Sequence, residues 1–247
     1  CCLLIILQPE GFSQRSRTRS EIKKLVKEYN AVGLSVAVVK HNKIVYSHAF
    51  GLRNIEQRQS LKPKDVFRIA SISKSFSATA IMQLAEAGKL SLDDDFSTLV
   101  GFTVRNPKYP DVVITLRMVL SHTSSINDSQ GYFNLDVINP ATNPGYAACY
   151  SDYPPGGGYR YCNLNFNMTG VVIERISGER FDQYIVNHIL KPLHLYGGYC
   201  IDSLDASLFA TLYEYDTAAG KFTVATGAYH PRREEIRNYK PGYSTPV

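Results

Sequence analysis

The stretch "GLSVAVVKHNKIVYSHAFG", Gly33 to Gly51, constrains the fold of this chain most. Two β-rich runs flank "KHNK", the pattern of a hairpin. A second stretch, "LYEYDTAAGKFTVATG", has the same form near the other end. Between the two, the apolar spacing changes to that of helices. The order helix, hairpin, several helices, hairpin predicts a mixed α/β (α+β) fold. Its antiparallel sheet is joined by a helical region, and a parallel βαβ array is excluded.

The helices follow from period and punctuation. "SEIKKLVKEY" puts Ile22, Leu25, Val26 and Tyr29 on one face, with Ser20 as its cap. A helix with Phe76, Ala80, Ile81 and Leu84 on one face runs to Gly88, a natural stop. "LSLDDD" is a loop whose aspartates suit turns and caps better than metal binding. "ITLRMVLSH" is a short helix. From Thr123 to Tyr159 the chain is rich in Asn, Pro, Gly and Tyr, which predicts long irregular surface. "NLNFNMTGVVIERISG" is helical, with Leu164, Met168, Val171, Val172 and Ile176 inward. "RFDQYIVNHILKPL" is another helix, ended by Pro192.

Composition excludes several classes. Of 247 residues, 44% are hydrophobic and 20% charged, as in soluble globular proteins that bury a core. The net charge of +5 is mild. Its basic residues are scattered, apart from Arg15, Arg17, Arg19, Lys23, Lys24 and Lys27, which suit a solvated helix face. Nucleic acid is not an expected partner. The chain opens "CCLLIILQPEGFSQ". Seven apolar residues are too few to span a bilayer. Residues 1–13 suit the remnant of a signal peptide better than a buried strand, and the greasy run argues against a lipidated Cys1 or Cys2. Export to a periplasmic or extracellular setting, free or membrane-anchored, is expected, where disulfides are permitted. Cys149, Cys162 and Cys200 remain, an odd number with no CxxC spacing and no assigned pairing. No cluster has metal-ligand spacing and no cofactor is called for.

Chemistry concentrates in two boxes. In "FRIASISKSFSATAIMQLAEAGKLSLDD", Ser71 precedes Lys74 by three residues at a helix start. A serine is a poor nucleophile until a neighbour takes its proton. A lysine one turn on can do so, and the helix N-terminus favours a developing oxyanion. Spacing alone does not decide, because Ser20 and Lys23 share it. The second box is Tyr161 and Asn163 in "PPGGGYRYCNLNFNMTG". A tyrosine beside a cation can relay a proton, and an asparagine can orient a lysine or a carbonyl. Tyr132 and Asn134 match the same pattern, but only Tyr161 leads from a Pro-Gly turn directly into an apolar helix.

Together with "ITLRMVLSHTSSI" and "ILKPLHL", these boxes resemble the serine β-lactamase-like family: class C β-lactamases, D-alanyl-D-alanine carboxypeptidases and related esterases. The resemblance runs from about Ile22 to Leu195, in the family's order. It implies an antiparallel sheet flanked by helices, joined to a helical subdomain, with the active site between them. It implies Ser71 as the acylated nucleophile and Lys74 as its activating partner. Tyr161 would relay the proton to the leaving group and to the deacylating water, and Asn163 would contact substrate and lysine. The Ser71 backbone N–H would be one oxyanion donor, and His122 a structural residue. The implied substrate is a small molecule or peptidoglycan-like compound with an ester, amide or β-lactam carbonyl. A non-catalytic penicillin-binding or sensor-like protein that keeps the cleft is the alternative. The family's third box, Lys or His followed by Thr-Gly, has no match after Asn163, since "ATG" at Ala225 to Gly227 lacks the basic residue. The chain closes on "YKPGYSTPV" where family members continue, so an N-terminal portion of a longer protein, lacking the closing strands, is expected. Two smaller departures are Cys162, where serine is usual, and Ser125, where glycine is usual.

Overall fold

The computed structural model describes residues 10–227. The apolar run with Cys1 and Cys2, and the closing "YKPGYSTPV", lie outside the described residues. The described residues divide into two compact units, one built from residues 10–68 with residues 205–227, the other from Ile69–Leu204.

The first unit holds both hairpins. Strands β1 (Gly33–Lys40) and β2 (Lys43–Asn54) pair antiparallel, with Leu34 opposite Phe50, Val36 opposite His48 and Val38 opposite Tyr46. The turn residues His41 and Asn42 both lie in the left-handed region, at φ 49° and 58°, the form that matches strand twist in tight hairpins. Gly51 sits at φ +78°, and a Cβ there would lie 2.3 Å from the Val32 carbonyl oxygen, so only glycine fits. The two-residue β3 (Gln59–Ser60) pairs with the end of β2. The late hairpin, β4 (Tyr213–Asp216) with β5 (Lys221–Val224), belongs to this unit too. Its approach is pinned by Val66 N–H donating to the Leu208 carbonyl at 2.8 Å and by Ile55 N–H donating to Tyr213 Oη at 2.8 Å. "ATG" follows β5 directly, and Ala225 N–H donates to the Leu212 carbonyl.

Helix α1 (Glu10–Glu28) also falls here. Ser20 was expected to cap it, but the helix begins ten residues earlier and Ser20 is interior. Ile22 and Val26 are half-buried, whereas Leu25 and Tyr29 are exposed, so the apolar face is narrower than the sequence implied.

The second unit is helical. Helix α2 (Lys74–Glu86) buries Ser77, Ala80, Ile81 and Leu84, and Gly88 follows at φ +68°. The aspartate-rich loop leads into α3 (Phe96–Val100), where Asp95 accepts from Ser97 N–H as N-cap and pairs with Arg105. Thr115 caps α4 (Leu116–Leu120). At the centre is α5 (Asn163–Ser177), buried on every side from Leu164 to Glu174. A helix apolar on one face only would not sit so; here Asn165, Asn167 and Thr169 bring polar groups into the interior. Asn167 donates to the Tyr132 carbonyl, Thr169 to the Asn165 carbonyl, and Asn165 Oδ1 accepts from Ser124 Oγ at 3.1 Å. Asn165 Nδ2 and Asn167 Oδ1 are buried without a hydrogen-bond partner among the described residues, exceptions to the rule that buried polar groups are paired. Helix α6 (Phe181–Ile185) continues as a π-helical turn over Val186–Leu190.

Residues 123–159 depart from expectation. They hold no long element, as predicted, but they are not simply surface. Ile126, Ile138, Cys149 and Tyr150 are core residues, and Asn106 donates to Ser125 Oγ, at 3.0 Å, and to the Ser151 carbonyl beneath them. Ser125 adopts φ 62°, the conformation for which glycine is the easier residue. Cys149, Cys162 and Cys200 are buried free thiols.

Candidate active site

Ser71 and Lys74 share one short turn. Ala70–Ser73 is a 3-10 helix that runs into α2, not the α-helical start expected. In 3-10 geometry residues three apart eclipse one another. The two side chains therefore stand on one side, and Lys74 Nζ donates to Ser71 Oγ at 3.1 Å. Just before the serine, Ala70 has φ 46°. A left-handed conformation costs a non-glycine residue roughly 1–2 kcal/mol, and strain of this kind gathers at functional sites. Tyr199 braces the turn, its hydroxyl donating to the Ser73 carbonyl at 2.5 Å and its ring packed edge-on against Phe181.

The second box arrives on extended backbone. Cys162 has φ −146° and ψ 120°, so successive side chains alternate in direction. Cys162 turns into the core, while Tyr161 and Asn163 face Ser71 and Lys74. Tyr161 Oη donates to Ser71 Oγ at 2.7 Å, and Asn163 Oδ1 accepts from Lys74 Nζ at 2.8 Å. Lys74 Nζ also lies 5.1 Å from the Tyr161 ring centre and 5.7 Å from that of Phe166, within cation–π range. The Y-x-N spacing thus has a physical basis: a period of two brings both polar groups to one side and leaves the middle residue to packing.

The electrostatics favour proton movement. Burial by itself would raise the Tyr161 phenol, but hydrogen bonding with Lys74 and Ser71 and the Lys74 charge outweigh it, leaving the pKa below its ordinary value. His122 sits behind. Its Nδ1 accepts from Cys162 N–H at 3.1 Å, and its ring packs 4.6 Å from Tyr161 and 5.3 Å from Phe166. Burial, then the Lys74 charge, hold its pKa below the usual histidine value. With Nδ1 an acceptor, the neutral ring carries its proton on Nε2.

Ser71, Lys74, Tyr161 and Asn163 are therefore brought together from two segments of the helical unit. Tyr132 and Asn134 are not with them: Tyr132 stacks on Phe133 and Asn134 caps the turn at Leu135–Val137 through Asp136 N–H. Ser20 and Lys23 are exposed on α1. One participant escaped the sequence reading. Asp128 contacts Asn163 through Oδ2 from 35 positions away, and no local pattern announces it. Among the described residues, no group of three or more His, Cys, Asp or Glu could hold a metal ion.

With this geometry in view, the chain's relationships are clear. A model of the Beta-lactamase family matches residues 18–217, and the chain belongs to that family. Protein flp of Staphylococcus aureus (strain MRSA252) is 30% identical over 167 residues, covering 66% of this chain and 34% of that protein. Penicillin-binding protein 4* of Bacillus subtilis (strain 168) is 28% identical over 169 residues, 64% of this chain and 36% of its own length. The octameric penicillin-binding protein homologue from Pyrococcus abyssi superposes with a TM-score of 0.69 at 29% identity, over 85% of this chain and 50% of that one. EstCE1, described as a hydrolase with promiscuous acyltransferase activity, gives 0.72 over 96% of this chain and 69% of that one; at 24% identity it shows the fold alone. The chain spans about a third of the length of the curated relatives it matches.

Proposed function

We propose that this protein is a serine hydrolase that acts through an acyl-enzyme on Ser71. One observation carries the proposal: Ser71 Oγ lies within hydrogen-bond reach of both Lys74 Nζ and Tyr161 Oη, at 3.1 and 2.7 Å. General bases work at such distances, and a serine needs one. In the acylation step the Ser71 proton passes to Lys74 Nζ while Oγ bonds to the substrate carbonyl carbon. Tyr161 then delivers a proton to the departing alcohol or amine as its bond to that carbon breaks. In deacylation Tyr161 takes a proton from the attacking water as its oxygen bonds to the acyl carbon, and Ser71 Oγ leaves with the proton returned from Lys74. Asn163 holds Lys74 in place through Oδ1. The Ser71 N–H, in the first turn of the helical run where backbone donors lack intrahelical partners, is the proposed oxyanion contact.

The substrate class we propose is a small or peptidoglycan-like compound with an ester, amide or β-lactam carbonyl. The penicillin-binding relatives support that range, and an exported setting suits it. The test is steady-state hydrolysis of a p-nitrophenyl ester and of nitrocefin by the protein and its Ser71→Ala and Lys74→Met variants. Turnover that both substitutions abolish is the expected result. Turnover unaffected by Ser71→Ala would defeat the proposal. A stable adduct without turnover would mark instead a binding or sensing member of the family.

A further inference from the structure

Asparagine has two ends of opposite polarity, and only one suits a lysine. The Asn163 oxygen accepts from Lys74 Nζ at 2.8 Å, while Nδ2 donates to Asp128 Oδ2 at 2.9 Å. We propose that Asp128 is a positioning residue of this site, whose carboxylate fixes the Asn163 amide with its oxygen toward Lys74. The inference rests on the acyl-enzyme reading given above and assigns a residue that reading does not use.

An ionised carboxylate accepts hydrogen bonds and donates none. Facing Asp128, the Asn163 amide must present its NH2 end, which leaves the oxygen for Lys74. The carboxylate is itself held firmly. Oδ2 also accepts from Asn163 N–H at 2.8 Å, and Oδ1 accepts from Leu164 N–H at 3.0 Å and from Cys162 Sγ at 3.1 Å. Burial pushes the Asp128 carboxyl up, but the donors from Asn163, Leu164 and Cys162 outweigh it and keep it below the ordinary carboxylate range. The group is therefore charged at neutral pH and remains an acceptor. Its location is also apt. The N-cap of α5, Cys162, makes no side-chain cap, and negative charge at a helix N-terminus is favourable. Asp128 supplies the missing cap from a separate loop, and in doing so orders the first residue of α5. Without a full acceptor there, the Asn163 amide can turn over and set its NH2 against the lysine, donor against donor. The chain Asp128–Asn163–Lys74–Ser71 thus carries the orientation of a half-buried carboxylate to the nucleophile.

A capping role alone and a positioning role give different results. The acylation rate by a p-nitrophenyl ester is measured for the unsubstituted protein, Asp128→Asn, Asn163→Ala and the double variant, with circular dichroism as a check on folding. If Asp128 acts through Asn163, Asp128→Asn should slow acylation about tenfold or more, in the range of coupled neighbours. The same change should have little effect once Asn163 is alanine. Equal fold-losses in both backgrounds would overturn the proposal and leave Asp128 a helix cap. Should Asp128→Asn fail to fold, Asp128→Ser, which keeps an oxygen for the backbone N–H groups, takes its place in the cycle with the same expected pattern. A measurement that needs no substrate separates this inference from the reaction itself. By 15N NMR, the Asn163 side-chain amide protons should be displaced and slow to exchange, and should lose both properties in Asp128→Asn. Free, fast-exchanging protons in the unsubstituted protein would overturn the placement whether or not the protein acylates.

Discussion

Around α5 every residue from Leu164 to Glu174 is buried, whereas along the first hairpin Val38, Val39 and Ile44 are 46%, 65% and 71% exposed. Both stretches are rich in apolar residues; what differs is what covers them. The helical unit closes its own core around one central helix, and that same helix begins at Asn163, two residues after Tyr161. The hairpin unit leaves β1 paired on one edge only among the described residues, with apolar side chains facing out. Unpaired edges promote association. The comparison teaches that the candidate site borders the most enclosed part of the chain: Ser71 and Tyr161 are themselves exposed, but Asn163 opens a helix held by packing, a rigid support for a site.

The largest contrast should come from single hydroxyl groups. Tyr161→Phe, which removes the atom 2.7 Å from Ser71 Oγ, should lower kcat by roughly 10²–10⁴, the usual worth of acid–base catalysis. Tyr132→Phe in the same unit should leave kcat nearly unchanged. In the hairpin unit, Tyr46 has a buried hydroxyl with no hydrogen-bond partner, and Tyr46→Phe should be neutral or stabilising, since an unsatisfied buried group is a cost. A reversed ranking of Tyr161 and Tyr132 would break the assignment.

Stability should follow burial. Leu164→Ala, at a fully buried position of α5, should cost about 2–5 kcal/mol in urea unfolding. Ile44→Ala, at the exposed hairpin, should fall within about 0.5 kcal/mol. Equal losses at the two sites would mean that the hairpin surface is covered in solution.

Much of this architecture was legible because it is periodic. Both hairpins, α2 and α5 follow from alternation or from a 3.6-residue period, and the stop at Gly88 from a glycine that takes positive φ. Ser71, Lys74, Tyr161 and Asn163 were legible as boxes, each on one local segment. What failed has no period. Ile126, Ile138, Cys149 and Tyr150 are buried singly between turn residues, and isolated apolar residues carry no pattern to distinguish core from surface. Asp128 lies 35 positions from Asn163 and meets it only through the fold. The 3-10 turn at Ala70–Ser73 was hidden too, because its residues are equally at home in an α-helix.

That turn gives the smallest prediction. Ala70→Gly should relieve left-handed strain of roughly 1–2 kcal/mol, which offsets glycine's greater freedom in the unfolded chain. The variant should be neutral or slightly stabilised in thermal melts. Ala80→Gly, inside α2 and fully buried, should instead lose about 1 kcal/mol. A clear loss at Ala70 would argue against the strained turn.

The central claim is that Ser71 is the residue acylated, and trapping the adduct tests it most directly. The protein is incubated with a fluorescent penicillin or a fluorophosphonate, digested, and the labelled peptide sequenced by mass spectrometry. The account predicts a single adduct on Ser71 that disappears in Ser71→Ala. Label on another serine, or label undiminished in Ser71→Ala, would contradict it.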